Sequence, residues 1–449
     1  MMRSPTRDRS RVLIMIVCLV VVITCMCTCG YAAEIDVLPG DVYVFPQDPN
    51  RRTNNKPNSR IASNGEGYLC VWQEHDGGAK DVYARLLDPN GVEQGEPLPV
   101  SSTAGNQRNP DVGSDGDGYL VVWADGRNED PNNTVGLDVY GAVFNAQGDM
   151  VDEVPIATGT GSQNFPKVKW QGDHYLVVWE DWTEHDAELG EVSLYGRRLD
   201  ADGAIIDQNS VEIAAGMAYN KKGIRPCFDI ASIEDPNGVS WIVAWSGSVQ
   251  DPSEYGLDIL ARFLQVDPNG TLELSPFLAQ IPISGLDQYN PTVEGLENQF
   301  LVAWEQWADD EGTDTDIWGI MLNMKGGFAG GLINIGSARK KQHYPELATN
   351  GRGFFAVWLD QRDSTSEQLV EHIYGIRISP EGYLLQDDPE SFGGTRLSED
   401  ANQVIWLTDV AGPGGDDDRY FGFWSARSRI DDVWTLRGRM YDPPPPPWL

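Results

Sequence analysis

Short apolar runs ending in tryptophan recur seven times along the chain. They read YLCVW to Trp72, YLVVW to Trp123, YLVVW to Trp179, WIVAW to Trp245, FLVAW to Trp304, FFAVW to Trp358 and YFGFW to Trp424. Each run is built of aromatic and aliphatic residues, with Cys70 and Gly422 the exceptions, and is bounded by Gly, Asp or Asn. Such a run predicts a strand buried on both faces. The tryptophans lie about 50 to 65 residues apart, a spacing that marks a repeat array.

The pattern around each run predicts a unit of four strands. A first strand follows a proline at Pro57, Pro110, Pro166, Pro226, Pro291 and Pro345, with Gln403-Val404 in that place in the last unit. A tight polar turn such as Asp115-Gly116-Asp117-Gly118 leads into the tryptophan strand. The third strand repeats as Asp138-Val139-Tyr140-Gly141, Ser193-Leu194-Tyr195-Gly196 and Asp316-Ile317-Trp318-Gly319, its small residue allowing close packing on a neighbouring sheet. Turns such as Asp88-Pro89-Asn90-Gly91 and Asp200-Ala201-Asp202-Gly203 supply the positive φ of a hairpin before a weaker fourth strand. Seven such units predict an all-β, seven-bladed β-propeller of four-stranded blades. The last unit ends after its third strand. Residues 40–50, around Val42-Tyr43-Val44-Phe45, are expected to supply the missing fourth strand and close the ring.

Outside the repeats, Arg3, Arg7, Arg9 and Arg11 precede an apolar stretch from Val12 to Ile23 and the small residues of Gly30-Tyr31-Ala32-Ala33. This is the layout of a secretory signal peptide over residues 1–33, with the propeller over 34–442. An uncleaved or lipidated leader would be the one route to a membrane. The tail of prolines 443–447 followed by Trp448 and Leu449 predicts polyproline II. Four of the six cysteines lie in the leader, leaving Cys70 and Cys227 in different units, so no disulfide framework is implied.

The chain of 449 residues carries 68 acidic and 33 basic side chains, a formal net charge of -35. That balance disfavours nucleic acid and anionic membrane surfaces as partners. It suits a soluble protein or one that meets cations.

The second-to-third and fourth-to-first connections are the long ones, so candidate chemistry collects on one face. That face carries Trp182, Tyr255 and Trp307 among carboxylates such as Asp125, Asp181 and Asp360. Aromatic rings stack on the apolar face of a sugar while carboxylates accept its hydroxyl hydrogens, which makes a glycan or an extracellular protein the expected partner. The densest acidic cluster, with Asp309, Asp310 and Asp314, could hold Ca2+, although it lacks EF-hand spacing. No other cofactor is called for. Trp-x-Asp-x-Arg occurs at Trp123-Asp125-Arg127 and at Trp358-Asp360-Arg362, and Arg427 sits near the same place after Trp424. An Asp–Arg pair closing a strand end explains the recurrence structurally.

The units built of Gln107-Arg108-Asn109-Pro110-Asp111-Val112, then YLVVW-A-D-G-R, then Asp138-Val139-Tyr140-Gly141 resemble those of secreted prokaryotic β-propeller repeat proteins. The resemblance covers residues from about 40 to 442. The general architecture is similar to that of sialidases, which use several arginines to hold a carboxylate, a comparison that Arg127, Arg362 and Arg427 invite. The Asp-box of those enzymes, Ser-x-Asp-x-Gly-x-Thr-Trp, is absent. So are Gly-x-Ser-x-Gly, zinc-protease and phosphate-loop motifs. The sequence therefore favours a monomeric, secreted binding propeller over a polysaccharide hydrolase or lyase working at the axial mouth, or a structural envelope protein. For the enzyme, two carboxylates, or Arg with Tyr or His, should converge at the axis.

Overall fold

The structure is a computed structural model of the chain. It describes residues 36–37, 42–43 and 58–442, except 76–77, 130–135, 183–190, 220–225, 236–237, 249–255, 282–285, 309–313, 386–392, 399–402, 413–418 and 429–433. The leader, the proline tail, Tyr255, Asp309 and Asp310 lie outside the described residues.

The described chain is all strand, turn and loop, arranged as seven antiparallel blades in a ring. Blade 2 is typical, with strands Gln107–Ser114, Tyr119–Asp125, Asp138–Phe144 and Met150–Ala157 paired in chain order. The other blades occupy 59–101, 163–219, 228–281, 288–336, 342–396 and 403–442. The third-to-fourth hairpins close as their composition predicts. In blade 2, Asn145 Oδ1 accepts the N–H groups of Gln147 and Asp149, and Gly148 takes φ 78°.

The period of two along each tryptophan strand divides its side chains between two neighbours. Tyr119, Val121 and Trp123 pack with Leu69, Val71 and Val82 of blade 1. Leu120 and Val122 pack with Val168, Tyr175 and Val177 of blade 3. The same division gives an apolar cluster at each remaining blade interface, including the one that joins blade 7 to blade 1 through Phe421, Phe423, Tyr68 and Trp72. This is why the runs lack polar residues: both faces of the strand are interior.

Three expectations need refinement. First, the prolines are not all equivalent. Pro110, Pro166, Pro291 and Pro345 directly precede the residue paired with the fourth member of the tryptophan run, and sit at a β-bulge. Pro57 and Pro226 lie two residues earlier in that frame, where the described pairing is regular. Second, the small residue of the third strand accommodates its own blade. A Cβ on Gly141 would come within 2.8 Å of Ile156 Cδ1, and one on Gly319 within 2.7 Å of Ile335 Cδ1, both on fourth strands. Third, the closing segment 40–50 lies largely outside the described residues. Within it Val42 and Tyr43 pair with Gly438 and Arg437 of the last strand, and Asp36 and Val37 pair further along with Asp442 and Tyr441. Cys70 and Cys227 are buried free thiols, and burial pushes the Cys70 thiol well up.

Candidate functional site: the axial ring and its mouth

The first strand of each blade lines the axis. Four of these strands carry the bulge written by the residues before proline: Asn109, Phe165, Asn290 and Tyr344 take φ of 53°, 49°, 48° and 57°. A left-handed backbone costs a residue with a Cβ about 1–2 kcal/mol, and asparagine bears it most easily.

Immediately beyond, one residue per blade occupies a single register position, opposite the fourth member of the tryptophan run. These are Arg60, Asp111, Lys167, Asp229, Thr292, Glu346 and Asp409, paired with Val71, Val122, Val178, Ala244, Ala303, Val357 and Phe423. From blade 7 round to blade 4 the charges alternate: Asp409, Arg60, Asp111, Lys167, Asp229. Lys167 Nζ lies 2.8 Å from Asp229 Oδ1, and Thr292 Oγ1 donates to Asp229 Oδ2 at 3.1 Å. The Arg60 guanidinium lies 3.6 Å from both Asp111 and Glu346, so carboxylates of blades 2 and 6 meet at one cation. Three of the carboxylates also bond the next blade's backbone. The N–H of Ile61 donates to Asp409, that of Val168 to Asp111 and that of Val293 to Asp229, at 2.8–3.0 Å. Two residues further along the same strands, Lys169 and Glu294 pair at 2.8 Å, and the other five positions are Ala62, Gly113, Ala231, Ala348 and Ala411.

The ring side chains of Arg60, Asp111, Lys167 and Asp229 are about a tenth exposed, so their titration is governed by competition between burial and neighbours. Burial alone would raise Asp229, but the Lys167 ammonium and the Val293 N–H override it and hold its carboxyl below the usual carboxylate range. In Asp111 and Asp409 burial wins and the carboxyls are raised, despite nearby Lys167 and Arg60. Burial opposes the charge of Lys167, and Asp229 reverses that, raising it.

Sequence reading passed over this ring because its members share a position and not an identity. The signal was there: one variable, mostly charged residue recurs just before the apolar residue of every first strand.

The Trp-x-Asp-x-Arg residues are spent inside their blades. Asp125 and Asp360 are fully buried, accept the indole N–H of Trp123 and Trp358 at 2.7 and 3.0 Å, and pair with Arg127 and Arg362 at 2.7 and 2.6 Å. Each guanidinium stacks 3.9 Å over a third-strand tyrosine, Tyr140 or Tyr374. Their geometry is that of a strand-end closure. Arg427, half-buried, lies one residue before the end of its strand, paired opposite Trp434.

The two tryptophans that follow a blade tryptophan by three residues are equivalent. Trp182 is half-buried against the cluster of blades 3 and 4, and its indole N–H donates to Glu180 at 3.1 Å. Glu180 in turn accepts the Cys227 N–H of blade 4. Trp307 is half-buried with its ring 5.9 Å from Tyr289, whose hydroxyl donates to Asp287 at 2.5 Å. Beside it Asn290 donates to Glu305 at 2.7 Å. These groups begin the first strand and end the second strand of blade 5, at the long-loop mouth of the axis. Asp181 accepts from Gln163 at 3.2 Å. Asp314 accepts the N–H of Thr315 at 3.1 Å, capping the start of a third strand. Among the described residues no group of three or more potential ligands could hold a metal ion.

No family model matches the chain, and no curated protein matches it. Solved structures with a similar fold include the Trypanosoma rangeli sialidase, at 10% identity and TM-score 0.43, with 89% of this chain and 59% of that one covered. A polysaccharide lyase described as an ulvan lyase matches at 10% identity and TM-score 0.47, over 91% of this chain and 94% of that one. The α-L-arabinofuranosidase from Lactobacillus brevis matches at 10% identity and TM-score 0.36, over 62% of this chain and 93% of its own. The propeller assignment rests on the strand pairing, and these likenesses decide nothing about chemistry.

Proposed function

We propose that this is a secreted binding propeller that takes a glycan at the long-loop mouth of its axis. The observation that carries the reading is the set at the start of blade 5. There the half-buried Trp307 and Tyr289 offer ring faces, and Asp287, Glu305 and Asn290 stand beside them as hydrogen-bonding groups. Rings for the apolar face of a sugar and acceptors for its hydroxyls are what such a ligand needs. The axial carboxylates favour binding over turnover, because three of them hold backbone N–H groups of the next blade. Export would follow from residues 1–33, and mass spectrometry of the mature N-terminus tests it. Among the described residues no helix is long and apolar enough to cross a membrane.

A glycan array probed with and without Ca2+ and EDTA tests the reading. Binding that is lost in Trp307→Ala with unchanged thermal stability supports it, and silence in both conditions ends it. The two conditions also test Ca2+ at the loop that holds Asp309, Asp310 and Asp314.

A second reading, a polysaccharide hydrolase or lyase, is favoured by one observation. The axis holds carboxylates pushed in opposite directions, Asp111 and Asp409 up and Asp229 down, the arrangement that separates an acid from a base. Incubation with a polysaccharide panel should then release reducing ends or unsaturated products, and Asp229→Asn should abolish the release. No product from any polymer removes this reading.

A further inference from the structure

Cations gather at another part of the long-loop mouth. Arg108 holds in blade 2 the register that Tyr289 holds in blade 5. Both follow the glutamine that opens the first strand, and they stand opposite Ala124 and Glu305. Arg108 therefore faces a methyl group where Tyr289 faces a carboxylate.

Asn106 pins the segments around Arg108. Its Oδ1 accepts the N–H of Lys80, which opens the third strand of blade 1, at 3.2 Å. Its carbonyl accepts the N–H of Gly126 at 2.8 Å, and the Gly126 carbonyl accepts the N–H of Glu129 at 3.0 Å. A Cβ on Gly105 would collide with the Gly126 carbonyl oxygen, so glycine permits this approach of backbone to backbone. The approach fixes Lys80 of blade 1 and Glu129 of blade 2 about the start of one strand.

The positive charge held here is weakly answered. Arg127 and Arg362 lie 2.7 and 2.6 Å from their aspartates and stack on tyrosines. Arg108 has Glu129 at 3.7 Å, beyond hydrogen-bond length, and its guanidinium donates no hydrogen bond among the described residues. Its side chain is nevertheless only 29% exposed. Burial lowers the Lys80 ammonium, Arg108 lowers it further, and no carboxylate raises it. Burial lowers Arg108 as well, with Glu129 opposing. Two like charges are thus kept together and half-buried, in a chain whose net charge is -35. An arriving oxyanion relieves both.

The number of oxygens decides which oxyanion fits. A guanidinium fork takes two oxygens side by side. A carboxylate is then fully engaged and leaves nothing for Lys80. A sulfate or phosphate ester has three terminal oxygens, so the third can meet the ammonium. The net charge of -35 repels a polyanion, which favours an isolated ester.

We propose that Arg108 and Lys80 bind the sulfate or phosphate ester of a single sugar at the seam of blades 1 and 2. The ester takes over from Glu129 as the partner of Arg108. The inference rests on the glycan reading for the sugar that carries the ester, and the ester site itself is apart from Trp307.

Calorimetric titration of the full chain tests it, with glucose 6-sulfate, glucose 6-phosphate, glucuronate and glucose. At least one ester should bind tenfold or more tightly than glucuronate and glucose. The tighter ester names the source, and equal binding of the two supports their shared chemistry. Arg108→Gln and Lys80→Gln should each weaken ester binding tenfold or more with unchanged Tm, and Glu129→Gln should strengthen it. Ester binding together with a silent glycan array would end the reading at Trp307 and leave this site standing. Array binding lost in Trp307→Ala but unchanged in Arg108→Gln would do the reverse. No ester binding, equal binding of glucuronate, or an Arg108→Gln variant that loses Tm and keeps its binding would overturn the proposal, the last because a carboxylate of the chain already holds the guanidinium.

Discussion

The second and first strands of the same seven blades obey opposite rules. Each second strand writes nearly the same five residues, buried to 0–2% in all the blade tryptophans. Each first strand holds one register position at which seven blades place Arg, Asp, Lys, Asp, Thr, Glu and Asp. Sameness serves packing between equivalent neighbours. Difference serves the axis, where blades meet unlike partners around a ring and a single repeated charge would repel itself. The closed ring therefore needs identical walls and a varied hub.

Breaking a wall should cost most. Trp304→Ala removes a fully buried side chain from the interface of blades 4 and 5, and should destabilise by about 3–5 kcal/mol in denaturant unfolding. Breaking the hub should cost less. Asp229→Ala strands Lys167 and takes the acceptor from the Val293 N–H, and about 3 kcal/mol is expected. The second-tier pair is the internal control. Lys169 is a third exposed, which gives water access to the pair, and Lys169→Met should cost less than Asp229→Ala, about 1–2 kcal/mol. A loss in Asp229→Ala as small as that in Lys169→Met would show that the ring does not join the blades.

The smallest effect is a pH dependence with two opposed arms. Asp111 and Asp409 have raised folded-state pKa values, so protons bind the folded form more tightly. Their contribution grows as pH falls from neutral through those values towards about 4, the ordinary aspartate value. Asp229 is depressed, so its contribution is complete above about 4 and is lost as pH falls through its folded value. Tm should rise on mild acidification and fall below it. Asp409→Asn should flatten the rise, and Asp229→Asn should remove part of the acid-side loss. Identical profiles in both variants and the parent would place these groups outside the ion-pair network.

The two candidate regions on the long-loop face were unequally legible. Trp182 and Trp307 could be picked out as aromatics in acidic loops, and both are half-buried at equivalent places. Asp125, Arg127, Asp360 and Arg362 could be picked out as a motif, but the stacking of the two guanidinium groups over Tyr140 and Tyr374 is a tertiary fact. The partner of Trp307, Tyr289, follows a glutamine that begins the first strand, and nothing local marks it as a neighbour of a residue 18 positions on.

By itself the sequence determined the number of blades, the identity of the buried strand and the places of the turns. These follow from periodicity and from the backbone demands of Gly, Pro and Asp, which act over a few residues. Only the tertiary structure decided that Asp409 meets Ile61 348 residues away, that Arg60 joins Asp111 to Glu346, and that Asp229 and Asp111 shift in opposite directions. Charge interactions depend on distance and burial, and in a closed ring both are set by which blades become neighbours at the axis.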